Sequence, residues 1–148
     1  MSEWYYNNEL YDPTESDLSE YVGFVYIITE KETNMKYVGK KLFHRRKTLP
    51  VTKTRKRKKK ILVESDWREY FGSSENVKLV LVDKGSDAFH REILHLCKTK
   101  GDCSYMEMLE QVQRNVLADE SYYNGIINVR INRSHLSPHL REKLLKNQ

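Results

Sequence analysis

Two phenols eleven positions apart, Tyr26 and Tyr37, are the residues of this chain best suited to chemistry. They lie in Phe24-Val25-Tyr26 and Tyr37-Val38-Gly39, on either side of a turn-like polar stretch, Glu30 to Asn34. The most basic run follows at once: residues 36–60 hold 13 of the 26 Lys and Arg and no acid. Paired phenols beside a cationic surface point to work on a polyanion. Hydrolysis of a phosphodiester needs a base for water and cations for the charge on phosphorus. It also needs a metal or acid for the leaving oxygen, and a substrate held in line. A tyrosine, with a pKa of about 10, serves as that base only beside cations that favour its phenolate. Lys36, Lys40, Lys41, Arg45 and Arg46 can supply that field. One carboxylate suffices for Mg²⁺, an ion that keeps several waters and takes further ligands from phosphate. Glu107 and Glu110 are the candidates.

The net charge of +5 conceals an asymmetry. Residues 1–20 carry six acids and no Lys or Arg. With those six set aside from the 21 acids, the remainder holds 26 bases against 15, a charge of +11. A basic block of this kind is either a solvated loop or a surface laid on an anion. Phosphate neutralisation is where such a density of Lys and Arg gains free energy. Lys53, Arg55, Lys56, Arg57, Lys58, Lys59 and Lys60 are therefore candidates for nucleic-acid contact, together with Lys41, Arg45 and Lys47. No apolar run approaches the 18 residues of a membrane span, and the N-terminus lacks the pattern of a signal peptide. Two cysteines, Cys97 and Cys103, at no redox spacing fit free thiols in the cytoplasm. They crowd with His90 and His95 into 14 residues but match no standard zinc pattern, so ordinary sheet residues are expected.

The elements that must position these groups fit one domain of 148 residues. Residues 1–20 read as an acidic extension with aromatic anchors Trp4, Tyr5, Tyr6 and Tyr11. Tyr21–Thr29 and Met35–Gly39 read as strands joined at Asn34. Lys40–Lys47 reads as a short helix ended by Leu49-Pro50, and residues 51–60 as a basic loop. Ser65 is expected to cap a short helix. Ser74 is expected to cap a longer one over Glu75–Lys84, closed by Gly85. Phe89–Cys97 reads as a strand. Ser104-Tyr105-Met106-Glu107 has the form of a capping box opening a helix. Asn124-Gly125 signals a turn before a short strand, Ile126–Ile131, and residues 136–148 form a basic tail.

The order of these residues resembles the GIY-YIG nucleases: Val25-Tyr26, then Tyr37-Val38-Gly39, a basic segment, a later helix glutamate and an asparagine near a closing strand. Tyr37 to Lys41, the basic loop, Glu64 to Trp67 with Tyr70 to Ser73, Glu92 to Gly101, and Tyr122 to Ile127 are similar to small phage-encoded homing-type endonucleases of that superfamily. The resemblance spans about residues 21–135. It implies an α+β fold, a small central antiparallel sheet of three to four strands flanked by helices. It implies a metal-dependent DNA endonuclease acting on DNA, double-stranded by analogy, in the host bacterial cytoplasm. In that scheme Tyr26 activates water and Tyr37 bonds the scissile phosphate or the nucleophile. Glu107 binds Mg²⁺ or Mn²⁺, with Glu110 as the alternative. Asn124 fixes the closing strand or a bridging water. A helix arginine, Arg46 or else Arg45, stabilises the charged phosphorus, and Lys36 or Lys40 lowers the pKa of the base. Phe24 stands where the first motif's glycine would be, with Gly23 adjacent.

Two other readings compete. A basic protein that coats nucleic acid without cutting it would show salt-sensitive binding and no cleavage. An interaction protein using its acidic and basic segments would leave DNA unbound at physiological salt.

Overall fold

A computed structural model describes residues 3–146. The chain opens with β1 (Trp4–Tyr6) and β2 (Glu9–Leu10), turned at Asn7 and Asn8, whose φ angles are 52° and 65°. Asparagine is among the side chains that best tolerate this left-handed conformation. Then come α1 (Glu15–Ser19), β3 (Gly23–Glu30), β4 (Lys36–Leu42), β5 (His44–Leu49) and β6 (Lys59–Glu64). They are followed by α2 (Glu75–Lys84), β7 (Phe89–Cys97), α3 (Lys100–Gln113) and α4 (Pro138–Lys146). Among the described residues no helix is long and apolar enough to cross a membrane.

The α+β class is as expected, but the main sheet is larger and mixed. Its order is β2-β1-β7-β3-β4, with β1 parallel to β7 and the other pairs antiparallel. The added strands come from the acidic N-terminal stretch. Trp4 draws it in: the ring is 2% exposed, packs edge-on to Phe24 and Tyr26, and donates from Nε1 to the Trp67 carbonyl at 2.8 Å. Burial of so large a ring, with its N–H satisfied, outweighs the charge of its neighbours.

The helix expected over Lys40–Lys47 is not formed. β4 continues through Leu42, Phe43 turns inward, and β5 pairs with β6 in a separate two-stranded sheet. Phe43 decides this. It is fully buried among Phe24, Tyr11 and Trp67, its N–H donates to Val22 O at 3.0 Å, and its carbonyl accepts from Ser65 N at 2.8 Å. Those bonds commit the backbone to long-range partners that a helix could not reach. Lys59 and Lys60, expected in the loop, are strand residues.

Helix α2 and strand β7 have the expected bounds, and Ser74 Oγ accepts from Val77 N as the cap. The segment after Ser65 makes only a single 3-10 turn, Trp67–Glu69. Helix α3 starts at Lys100, capped by Thr99, so Ser104 and Glu107 lie inside it and Glu107 caps nothing. Ile126–Ile131 is not a strand. The asparagine side chain before it has taken the backbone sites of β4, as described below.

Strand β3 lies inside the sheet, between β7 and β4, and is buried on both faces. Phe24, Tyr26 and Ile28 pack with Trp4, Phe43, Trp67, Phe71 and Val77 on one side. Val25, Ile27 and Val38 pack with Cys103 and Met106 of α3 and Leu140 of α4 on the other.

Candidate active site

Strands β3 and β4 pair so that Tyr26 lies opposite Gly39 and Ile28 opposite Tyr37. The two-residue period puts both phenols and Gly39 on one face. Tyr26 lies across the glycine: a Cβ at position 39 would overlap the Tyr26 hydroxyl, 2.7 Å from Cζ, and stand 3.0 Å from Cε1 of Tyr37. The glycine of Tyr-Val-Gly is there to leave room for the other tyrosine. The two ring centroids are 6.4 Å apart.

The segment after the 3-10 turn closes over both phenols. Tyr70 hydrogen-bonds Tyr26, and the Tyr37 hydroxyl lies 3.0 Å from Ser73 Oγ. Between them Gly72, with φ of 91°, leaves only 3.1 Å from a would-be Cβ to the Tyr26 hydroxyl and to Tyr37 Cε1. Lys41 sits 4.1 Å over the Tyr70 ring with its Nζ bonded to Asp66 at 2.7 Å. Arg91 donates to the Tyr70 carbonyl at 2.8 Å. Tyr26 is consequently 1% exposed. Burial above all, then the neighbouring Tyr70 and Tyr37 phenols and the Glu107 carboxylate, pushes its pKa well above the ordinary value. At neutral pH it is an uncharged phenol. Trp4, Tyr37 and Tyr70, not open solvent, surround the Tyr26 ring in this arrangement.

Tyr37 reaches a polar cavity of about 410 Å³ at the outer edge of β4. Ser73, Glu107, Gln111, Tyr123 and Asn124 also line it. Asn124 is 8% exposed and spends its amide on Val38: Oδ1 accepts from Val38 N at 3.0 Å and Nδ2 donates to Val38 O at 2.8 Å. It imitates a neighbouring strand. Gln111 Nε2 adds a bond to the same carbonyl at 3.2 Å. These two amides therefore set the path of Tyr37-Val38-Gly39.

Glu107 comes to the cavity from α3, half-buried, with no hydrogen-bond or ion-pair partner among the described residues. Burial raises its pKa, opposed by the charge of Lys40. A partly dehydrated carboxylate in a polar cavity fits a cation. Among the described residues no three His, Cys, Asp or Glu side chains cluster as a metal site, so an ion here would take its other ligands from water and substrate. Glu110, one turn on, is committed elsewhere. It meets His95 Nε2 at 2.9 Å and Arg114 Nε at 2.9 Å, and the His95 bond leads in lowering its pKa.

The basic residues divide. Lys40 projects on the α3 side, donating to Ser104 Oγ at 2.6 Å and acting on Glu107. Lys36 lies at the other end of β4, against Asn34 O and the Tyr122 ring. Arg45, Arg46 and Lys47 are exposed on β5, away from the cavity of Tyr37 and Glu107, because the helix that would have aimed an arginine there is replaced by a strand. Arg45, Arg46, Lys40, Lys41 and His44 instead border a larger cavity of about 1020 Å³ at the base of β5–β6. Its one carboxylate, Asp66, is taken by Lys41. Lys53 to Lys58 lie in the connection between the two strands. Sequence reasoning missed the covering residues Tyr70 and Ser73 and the strand-fixing Gln111. Only Gly72 between an aromatic pair and two serines marked that turn.

A family model described as "Putative endonuclease segE, GIY-YIG domain" matches residues 4–127. The match starts at Trp4, the first residue of β1, and takes in every residue that lines the cavity except Asn128. No curated protein and no solved structure matches the chain.

Proposed function

Because the chain belongs to the SegE GIY-YIG family of endonucleases, we propose that it hydrolyses DNA phosphodiester bonds at the cavity of Tyr37, Glu107 and Asn124, with a divalent ion. The observation that carries this is the half-buried Glu107 carboxylate, with no hydrogen-bond or ion-pair partner among the described residues, lining the same cavity as Tyr37. Glu107 would hold Mg²⁺ or Mn²⁺, which when bound supplies charge stabilisation at the leaving oxygen. Tyr37 is the phenol open to the cavity and takes the contact with the scissile phosphate. Lys40, beside Glu107, places a positive charge where negative charge gathers on the phosphoryl oxygens. Asn124 acts through Val38, holding Tyr37 in place. Tyr26 as the base that takes water's proton requires the Tyr70–Ser73 cover to move aside. Closed, the cover keeps it a neutral phenol that donates to Tyr70.

Supercoiled plasmid incubated with Mg²⁺, Mn²⁺ or EDTA tests this. Cleavage should need the metal and fall at least ~100-fold in Glu107→Ala, the scale of losing one transition-state contact. Equal cleavage by the wild type and Glu107→Ala overturns the assignment. Tyr26→Phe and Tyr37→Phe separate the two phenols: loss only in Tyr37→Phe removes Tyr26 from the reaction.

A further inference from the structure

Strands β5 and β6 pair with each other and with no strand of the main sheet. Their root is fixed. Phe43 is fully buried, Ser65 N donates to its carbonyl at 2.8 Å, and Ser65 Oγ donates to Leu42 O at 2.7 Å. Six paired positions extend from there, roughly 20 Å of ladder at about 3.4 Å per residue. The only acid of the ribbon, Glu64, is held at the root by Trp67 Nε1 at 2.8 Å and Arg68 Nε at 3.2 Å.

Cross-strand partners share a face. One face pairs Arg45 with Val63, Lys47 with Ile61 and Leu49 with Lys59, and its apolar members are half-buried. The other pairs Arg46 with Leu62 and Thr48 with Lys60, and all four are exposed. Leu62 is 69% exposed. A leucine set between cations contributes nothing to phosphate neutralisation. It does suit the edge of a base pair, where an apolar side chain meets the thymine methyl group. On the same surface Arg and Lys donate to guanine O6 and N7, and Thr reads either partner.

We propose that the β5–β6 ribbon enters the major groove of duplex DNA, with Arg46, Thr48, Lys60 and Leu62 on base edges and the connecting residues 53–58 on phosphates. The groove, about 12 Å wide, admits a two-stranded ribbon. The ribbon's surplus of positive charge matches the duplex. Since the root is clamped to the strand that carries Tyr37, the base pairs read and the bond cut lie a constant distance apart. That spacing rests on the nuclease reading above; the groove contact does not.

Two measurements on the full chain separate them. Cut ends from a randomised duplex library in Mg²⁺ report preference, and methylation protection of guanine N7 in EDTA reports major-groove contact. The wild type should protect N7 and favour particular base pairs at a fixed offset from the cut. Arg46→Ala/Leu62→Ala, at exposed positions that leave the fold intact, should relax that preference about 5- to 150-fold. Lys56→Gln/Arg57→Gln/Lys58→Gln should weaken binding evenly, flatten its salt dependence and keep the preference. Duplex binding without N7 protection, or a preference unchanged in Arg46→Ala/Leu62→Ala, overturns the proposal. N7 protection that is lost in that variant, without cleavage in any metal, sinks the catalytic reading and leaves the ribbon assignment standing. Cleavage without N7 protection does the reverse.

Discussion

Two antiparallel hairpins meet at Phe43, and they have opposite fates. In β3–β4, seven cross-strand pairs lie against aromatic and aliphatic layers, and all but one residue of β3 is buried. In β5–β6, six pairs of the same ladder stand largely exposed. Backbone hydrogen bonding is alike in the two. The difference is whether the side chains above and below the pleat find apolar partners. The first hairpin sets two phenols and a glycine on one face in close contact. The second presents cations and a leucine to whatever comes. A packed hairpin and an exposed one follow from the same secondary structure with different packing.

The contrast can be tested on stability, from the largest effect down. Phe43→Ala, at the junction, should cost about 3–5 kcal/mol by loss of a buried aromatic, read as a fall in the denaturant midpoint. A wild-type midpoint would show that the junction at Phe43 is not anchored as described. Asn124→Ala should cost about 1–3 kcal/mol, because it leaves the N–H of Val38 without its acceptor and the Val38 carbonyl with the Gln111 amide alone. Its cleavage should fall as well, through displacement of Tyr37. Glu107→Gln should stabilise the fold at neutral pH by on the order of 0.5–2 kcal/mol, read as a higher melting temperature, while cleavage is lost. Leu62→Ala, on the open ribbon, should stay within about 0.5 kcal/mol of wild type. A large loss there would mean the ribbon is packed against something.

Two glutamates one helical turn apart sharpen the comparison through pH. Glu110 is held below its ordinary pKa by His95 and Arg114. Its stabilisation is therefore present above the unfolded value of about 4.3 and lost as pH falls through the depressed folded value. Glu107 is raised by burial. Its folded form binds the proton more readily, so the fold is favoured at low pH and that gain disappears as pH rises through the folded value. Melting temperature against pH should thus lose part of its acid limb in Glu110→Gln. Glu107→Gln should diverge from wild type only toward neutral pH. Parallel curves for the two variants would refute the assignment of one to a salt bridge and the other to a carboxylate raised by burial.

Much of the frame was legible because its signals are local. Ser74 and Gly85 bound α2, β-branched and aromatic residues mark β3 and β7, and Asn34, with φ of 62°, turns the tyrosine hairpin. The failures have one cause. Ser104 looked like a helix cap, but Thr99, whose Oγ1 accepts from Asp102 N at 3.0 Å, starts α3 earlier. His44–Leu49 has nothing helical or extended about it alone; the ladder to β6 makes it a strand. Trp4 joins a sheet through a strand almost ninety residues away. An arginine register counted along a helix failed once there was no helix.

The spacing of Tyr26 and Tyr37, Gly39 after the second of them, the concentration of cations and the presence of Glu107 are properties of the chain itself, since they depend only on identity and order. Which phenol meets solvent, which glutamate is taken by His95 and Arg114 and where the arginines point were decided only on folding. Those outcomes turn on burial and on contacts between residues distant along the chain, and neither is encoded in any short stretch of it.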